Sequence, residues 1–158
     1  MRIVTVFLGA VLAVTSVCAT PPASADPVTG TVVAQSAVPT VNLPSEAARG
    51  VAVRYTTRDQ NGRPALSTGA VYYPRRAVPA DGWQVVSWAH GTSGISARCA
   101  PSVQSGQLLD RDQPTISGAL RRGYVVTATD YIGLGGGGVA EYLGGRSSAS
   151  TTCSCSGA

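Results

Sequence analysis

The residues with the clearest chemical meaning are Trp88–Ala89–His90–Gly91–Thr92–Ser93–Gly94, an apolar run ending in a His-Gly pair and a hydroxyl-bearing turn. A loop of this kind after a strand can present backbone N–H groups to a developing oxyanion, because glycine has no Cβ to obstruct a close approach. Gly91 is the glycine that would permit such an approach, with His90 beside it. The alternative is a turn around a half-buried, hydrogen-bonded histidine. Ser93 is the nearest hydroxyl nucleophile, but a nucleophile elbow requires small residues two before and two after the serine, as in G-x-S-x-G. Gly91 meets the first requirement, Ile95 fails the second, and no G-x-S-x-G occurs in the 158 residues. With His90 the single histidine and no elbow present, this sequence contains no complete Ser-His-acid triad.

A second pattern is Gly133–Leu134–Gly135–Gly136–Gly137–Gly138, which fits the G-x-G-x-x-G turn of dinucleotide sites. No acidic strand end follows about 20 residues on, so a connecting loop is expected and no cofactor is predicted. Of the four cysteines, Cys153 and Cys155 form a C-x-C that lacks the spacing of a zinc half-site, and only His90 could assist, so no metal site is expected. All twelve basic residues are arginines, set against eight acids, for a formal charge of +4. They are adjacent in sequence only at Arg75–Arg76 and Arg121–Arg122, so no basic stripe is visible and no nucleic-acid partner is expected.

The elements that must position these residues begin after a leader. Met1–Arg2, the apolar run from Ile3 to Ala19 and the small residues Ala23–Ser24–Ala25 read as a signal peptide, residues 1–25, cleaved before Asp26. The expected location is therefore extracellular, with no membrane span after cleavage. Cys99, Cys153 and Cys155 would remain, an odd number, so one thiol is free or pairs outside the chain. Residues 26–49 show weak periodicity, with one helical turn suggested at Leu43–Gly50. Val51–Thr57 and Ala65–Tyr73 read as strands of a hairpin joined at the turn signal Asn61–Gly62. Gln84–Ala89 and Tyr124–Asp130 read as further strands, joined by a long loop over 91–105 and a helix whose last turns, Ile116–Arg122, stop at Gly123. A hairpin followed by strand, crossover and strand predicts an α/β fold with an antiparallel start and a parallel continuation.

Three segments in this order, Val85–Thr92, Cys99–Ser102 and Gly123–Gly135, resemble the secretory lipases of actinobacteria and fungi, a branch of the α/β-hydrolases, and Tyr142–Arg146 is similar to their continuation. The resemblance implies the N-terminal part of an α/β-hydrolase domain over residues 26–146 and hydrolysis of acyl esters or lipids through an acyl-enzyme. It implies that Gly91–Thr92 supplies an oxyanion N–H, that His90, Asp130 and Tyr131 line the active site, and that Cys99 joins a disulfide.

The sequence departs from that pattern after residue 146. Ser147–Ala158 is rich in Ser, Thr and Cys, without apolar periodicity, where an amphipathic helix would be expected. The expectation is a low-complexity tail arising from a shifted reading frame near residue 147, on a truncated hydrolase that lacks its elbow and triad. Such a chain is expected to be inactive alone and poorly soluble, with the edge of the Gln84–Ala89 strand open. The competing expectation is a small exported interaction domain with no catalytic role.

Overall fold

The computed structural model describes residues 29–103, 107–141 and 143–157, so the leader lies outside the described residues. Five strands and two α-helices follow one another as β1 (Val32–Ala37), β2 (Ala47–Arg58), β3 (Pro64–Pro74), β4 (Val85–Ala89), α1 (Gln107–Arg121), β5 (Val125–Thr129) and α2 (Gly145–Gly157). The strands form one sheet in the order β1-β2-β3-β5-β4. β1, β2 and β3 are an antiparallel meander, β5 joins β3 antiparallel, and β4 runs parallel to β5. The expected antiparallel start and parallel continuation are both present, and the parallel pair needs the α1 crossover because a tight turn cannot join parallel strands.

The hairpin closes where Asn61–Gly62 signals it, with Gly62 at φ +79°. Alternation along the strands separates two faces. Ala70, Tyr72 and Val126 join Ile116 and Leu120 of α1 in one core. Val71, Val125, Val53 and Tyr55 form the other face, where Cys155 of α2 packs. α1 is the predicted helix extended towards its N-terminus, with Pro114 inside it, and Gly123 at φ +93° ends the turn after it.

The structure departs from the expected elements at three places. Residues 26–49 contain the strand β1, which lies at the sheet edge, and five of its six residues are exposed, so burial leaves no alternation to read. Leu43–Gly50 is not a helical turn: β2 begins at Ala47, and Gly50 sits within it, where a Cβ would come within 2.7 Å of Leu43. The segment without apolar periodicity forms α2, which packs on β2, β4 and β5 through hydroxyls. Thr151 and Cys155 are fully buried there. Tyr55 donates to the Thr151 carbonyl at 3.1 Å, Ser154 to Thr57 Oγ1 at 3.2 Å and Ser87 to the Thr152 carbonyl at 3.1 Å. The Gln60 side chain, at the hairpin tip, accepts from the N–H groups of Arg146 and Ser147 and so caps the first turn of α2. No helix among the described residues is long and apolar enough to cross a membrane.

Candidate active site

β4 and β5 end side by side, so the parallel register brings His90 and Asp130, the residues just after them, to one edge of the sheet. From there the chain turns into two loops that enclose a cavity of about 180 Å3. Its walls include His90, Gly91, Thr92 and Ser93 on one side and Tyr131, Ile132, Leu134 and Leu143 on the other. The expected partners His90, Gly91, Thr92 and Tyr131 are therefore together.

The loop is held from behind by Arg111 of α1. Its guanidinium donates to the Thr92 carbonyl at 2.9 Å and to the Gly91 carbonyl at 3.1 Å, and its Nε is 3.3 Å from Asp112. A trans peptide sets each N–H antiparallel to the preceding carbonyl. With both carbonyls turned to Arg111, the N–H groups of Thr92 and Ser93 turn away from it. The Ser93 hydroxyl is covered from solvent and has no hydrogen-bond partner among the described residues.

His90 is buried, and its ring nitrogens face main-chain carbonyls: Nδ1 is 2.6 Å from Gly91 O and Nε2 is 3.4 Å from Asp130 O. The short contact assigns the proton to Nδ1. His90 thus shapes the loop, and neither ring nitrogen is hydrogen-bonded to a serine hydroxyl. Tyr131 packs against it at 4.7 Å between ring centroids and donates its hydroxyl to the His90 carbonyl at 3.1 Å. Tyr131 adopts φ +67°, a left-handed conformation that costs a non-glycine residue about 1–2 kcal/mol. Its N–H is met by Thr129 Oγ1 at 3.1 Å, which in turn lies 2.6 Å from the Tyr55 hydroxyl. A chain of hydroxyls therefore runs from the backbone of α2 to the residue that bends the chain at the cavity.

Asp130 behaves differently from Tyr131. Its carboxylate turns away from the cavity and is 1% exposed. It accepts from Thr68 Oγ1 at 2.7 Å, from the Ser102 N–H at 2.8 Å and from the Ser102 hydroxyl. Burial raises its pKa above the usual carboxylate value, and the Ser102 and Thr68 bonds oppose that rise. It anchors the loop after β4 to the sheet. Arg111 and Thr68 have no sequence signal, because each acts across 19 or more residues of separation, and Ser102, although it closes the segment Cys99–Ser102, carries no sign of its partner 28 residues on.

The glycine loop is a folded turn rather than the start of a helix: a Cβ on Gly133 would lie 2.3 Å from the Ala140 nitrogen, and Leu134 is buried. Cys99 is a free thiol 3.2 Å from the Ser96 hydroxyl, and Cys153 and Cys155 are free as well. Tyr142 lies outside the described residues.

The fold is that of α/β-hydrolase-type esterases and lipases, seen in part. Among solved structures, the chain is similar to the rice cell wall degrading esterase LipA from Xanthomonas oryzae, at TM-score 0.62 and 24% identity over 83% of this chain and 37% of that one. A ligand-bound form of the same esterase matches at TM-score 0.57 and 24% identity, over 82% and 37% of the two chains. Candida antarctica lipase A in its closed state matches at TM-score 0.51 and 22% identity, over 66% of this chain and 26% of the lipase. The chain thus spans little more than a third of the esterase it resembles. No protein-family model matches the sequence, and no curated protein matches it.

Proposed function

We propose that the chain is a secreted, secretory-lipase-like protein whose 90–94 loop receives the carbonyl end of an acyl ester, and that these 158 residues do not hydrolyse it unaided. The observation that carries the reading is the Arg111 clamp. Both carbonyls of the loop are held on one side, which preorganises the N–H groups of Thr92 and Ser93 as oxyanion donors. The apolar wall of Ile132, Leu134 and Leu143 suits the acyl chain, and a cavity of about 180 Å3 favours a short one. Hydrolysis needs a base aimed at a nucleophile, and His90 is engaged with main-chain carbonyls instead.

The test pairs catalysis with binding. The secreted chain is expected to hydrolyse p-nitrophenyl butyrate no faster than buffer, and to bind a short-chain trifluoromethyl ketone by calorimetry. Arg111→Met frees the loop carbonyls and should weaken that binding about tenfold, one charge-assisted hydrogen bond's worth. Turnover abolished by Ser93→Ala would overturn the non-catalytic part. Absence of any ketone binding would overturn the ester site and leave an exported interaction domain.

A further inference from the structure

The two arginine pairs that are far apart in sequence meet in the fold. Arg75 and Arg76 follow β3, and Arg121 and Arg122 precede β5, which is antiparallel to β3, so all four lie at the same end of the sheet. Arg76 donates to the Arg121 carbonyl at 2.9 Å, and its side chain lies over Gly123, where a Cβ would be 3.3 Å from Arg76 Cδ. All four side chains belong to exposed residues. Two acids temper the charge: Glu46, paired with Arg121 at 3.2 Å, and Asp81 on the facing loop. A groove of about 250 Å3 runs between Arg76 and Arg122, with Trp83 and Tyr124 among its walls.

The loop that closes this groove, Ala77–Val78–Pro79–Ala80, is exposed throughout, and Val78 at its tip is 67% exposed. An exposed apolar tip next to a groove lined by Arg76 and Arg122, with half-buried aromatic rings in its wall and Arg75 and Arg121 at the same sheet end beside Ser45 and Glu46, is an arrangement that suits an anionic bilayer surface. The tip enters the headgroup boundary, the aromatic rings settle at headgroup level, and the arginines meet phosphates. A soluble anionic polymer would use the arginines and leave the valine idle.

We propose that Arg75, Arg76, Arg121, Arg122 and Val78 form a docking surface for an anionic phospholipid bilayer, at the sheet end opposite the 90–94 loop. The parallel register fixes that opposition, because His90 and Asp130 follow the strands whose other ends carry this patch. The surface does not depend on the ester reading, and neither result bears on the other.

The full chain is sedimented with vesicles of phosphatidylglycerol and with vesicles of phosphatidylcholine. The leader, with its amino terminus and Arg2, adds the same lipid preference to every variant, so the difference between the unaltered chain and its variants on phosphatidylglycerol is the readout. Binding is expected to phosphatidylglycerol in excess of phosphatidylcholine, and to fall as salt rises. Arg75→Gln/Arg122→Gln, which spares the Arg76–Arg121 contact, should lower the phosphatidylglycerol affinity about 25-fold, near fivefold per charge. Val78→Ser should lower it about tenfold. Circular dichroism of each variant establishes that it is folded. Equal binding to both lipids, or binding untouched in folded variants, overturns the proposal. Retention on polygalacturonate that Val78→Ser leaves unchanged, with no vesicle binding, overturns it in favour of an anionic polymer.

Discussion

Thr68→Val isolates the support beneath the candidate site. The substitution keeps the shape of the side chain and deletes one hydroxyl, which donates to Asp130 Oδ2 at 2.7 Å and lies 3.1 Å from the Leu134 carbonyl. Asp130 then keeps only its two Ser102 donors, while remaining 1% exposed. A hydrogen bond to a charged, buried acceptor contributes roughly 1.5–3 kcal/mol, so a loss of about 2 kcal/mol is expected where the carboxyl is ionised, and less where it is protonated. The sign of the pH dependence follows from the pKa. Asp130 is already raised by burial, and the Thr68 bond opposes that rise, so its removal raises the pKa further. A carboxyl with a raised folded-state pKa favours the native state while protonated and loses that contribution as pH rises through the folded value. The variant should therefore cost more at pH 7 than at pH 4. Urea titrations followed by Trp fluorescence at both pH values measure the difference. A loss below about 0.5 kcal/mol at pH 7, or one equal at the two pH values, would refute the account of Asp130 as a charged anchor held by Thr68.

Gly69→Ala should be among the most damaging single substitutions, because a Cβ there would lie 2.4 Å from the Ala128 carbonyl, a backbone atom of the paired strand. A loss of about 3 kcal/mol or more is expected in the same urea titration, and a near-neutral result would mean that β3 and β5 are not in register there. Alkaline pH should loosen both faces of the sheet, through Cys155 on the α2 side and Tyr72 on the α1 side. Burial raises the Cys155 thiol to about 11 and the Tyr72 hydroxyl to about 12, so the native state keeps protons that the unfolded chain releases from about pH 9 and 10 upwards. Each shift of about two units corresponds to roughly 3 kcal/mol lost across its window, and a melting temperature flat from pH 8 to 11 would contradict this. Among the described residues β4 pairs only with β5; it carries no charge and leaves Val85 48% exposed, so Val85→Lys should raise the soluble fraction of the purified chain; unchanged sedimentation would remove the edge as the cause of association.

Much of the fold was legible because β2, β3, β4 and β5 are runs of β-branched and aromatic residues punctuated by Asn61–Gly62, Gly82 and Gly123. β1 escaped because an edge strand with little burial imposes no alternation on its residues. α2 escaped because the pattern sought was an apolar stripe, and its buried face is made of Thr151, Ser154, Ser147 and Cys155. At the site, His90, Gly91, Thr92 and Tyr131 could be singled out because they are contiguous with strand ends. Arg111 and Thr68 could not, and neither could the role of Ser102, since strand pairing and the α1 crossover bring their partners together from distant positions. The patch formed by Arg75, Arg76, Arg121 and Arg122 was likewise invisible in one dimension, for it exists only once β3 and β5 are paired.

The junction of β3 with β5 has a bearing on how the chain reaches its native state. Only four register positions, Gly69 to Tyr72 against Thr129 to Val126, join the meander to the parallel unit. The meander is closed by local turns and loses little loop entropy in forming. β4 and β5 must first close a long connection through α1, so their pairing is the slow event. The meander is then the platform on which the later half assembles, and α2, which spans β2, β4 and β5, can seat only after that assembly and acts as a clasp across the finished seam.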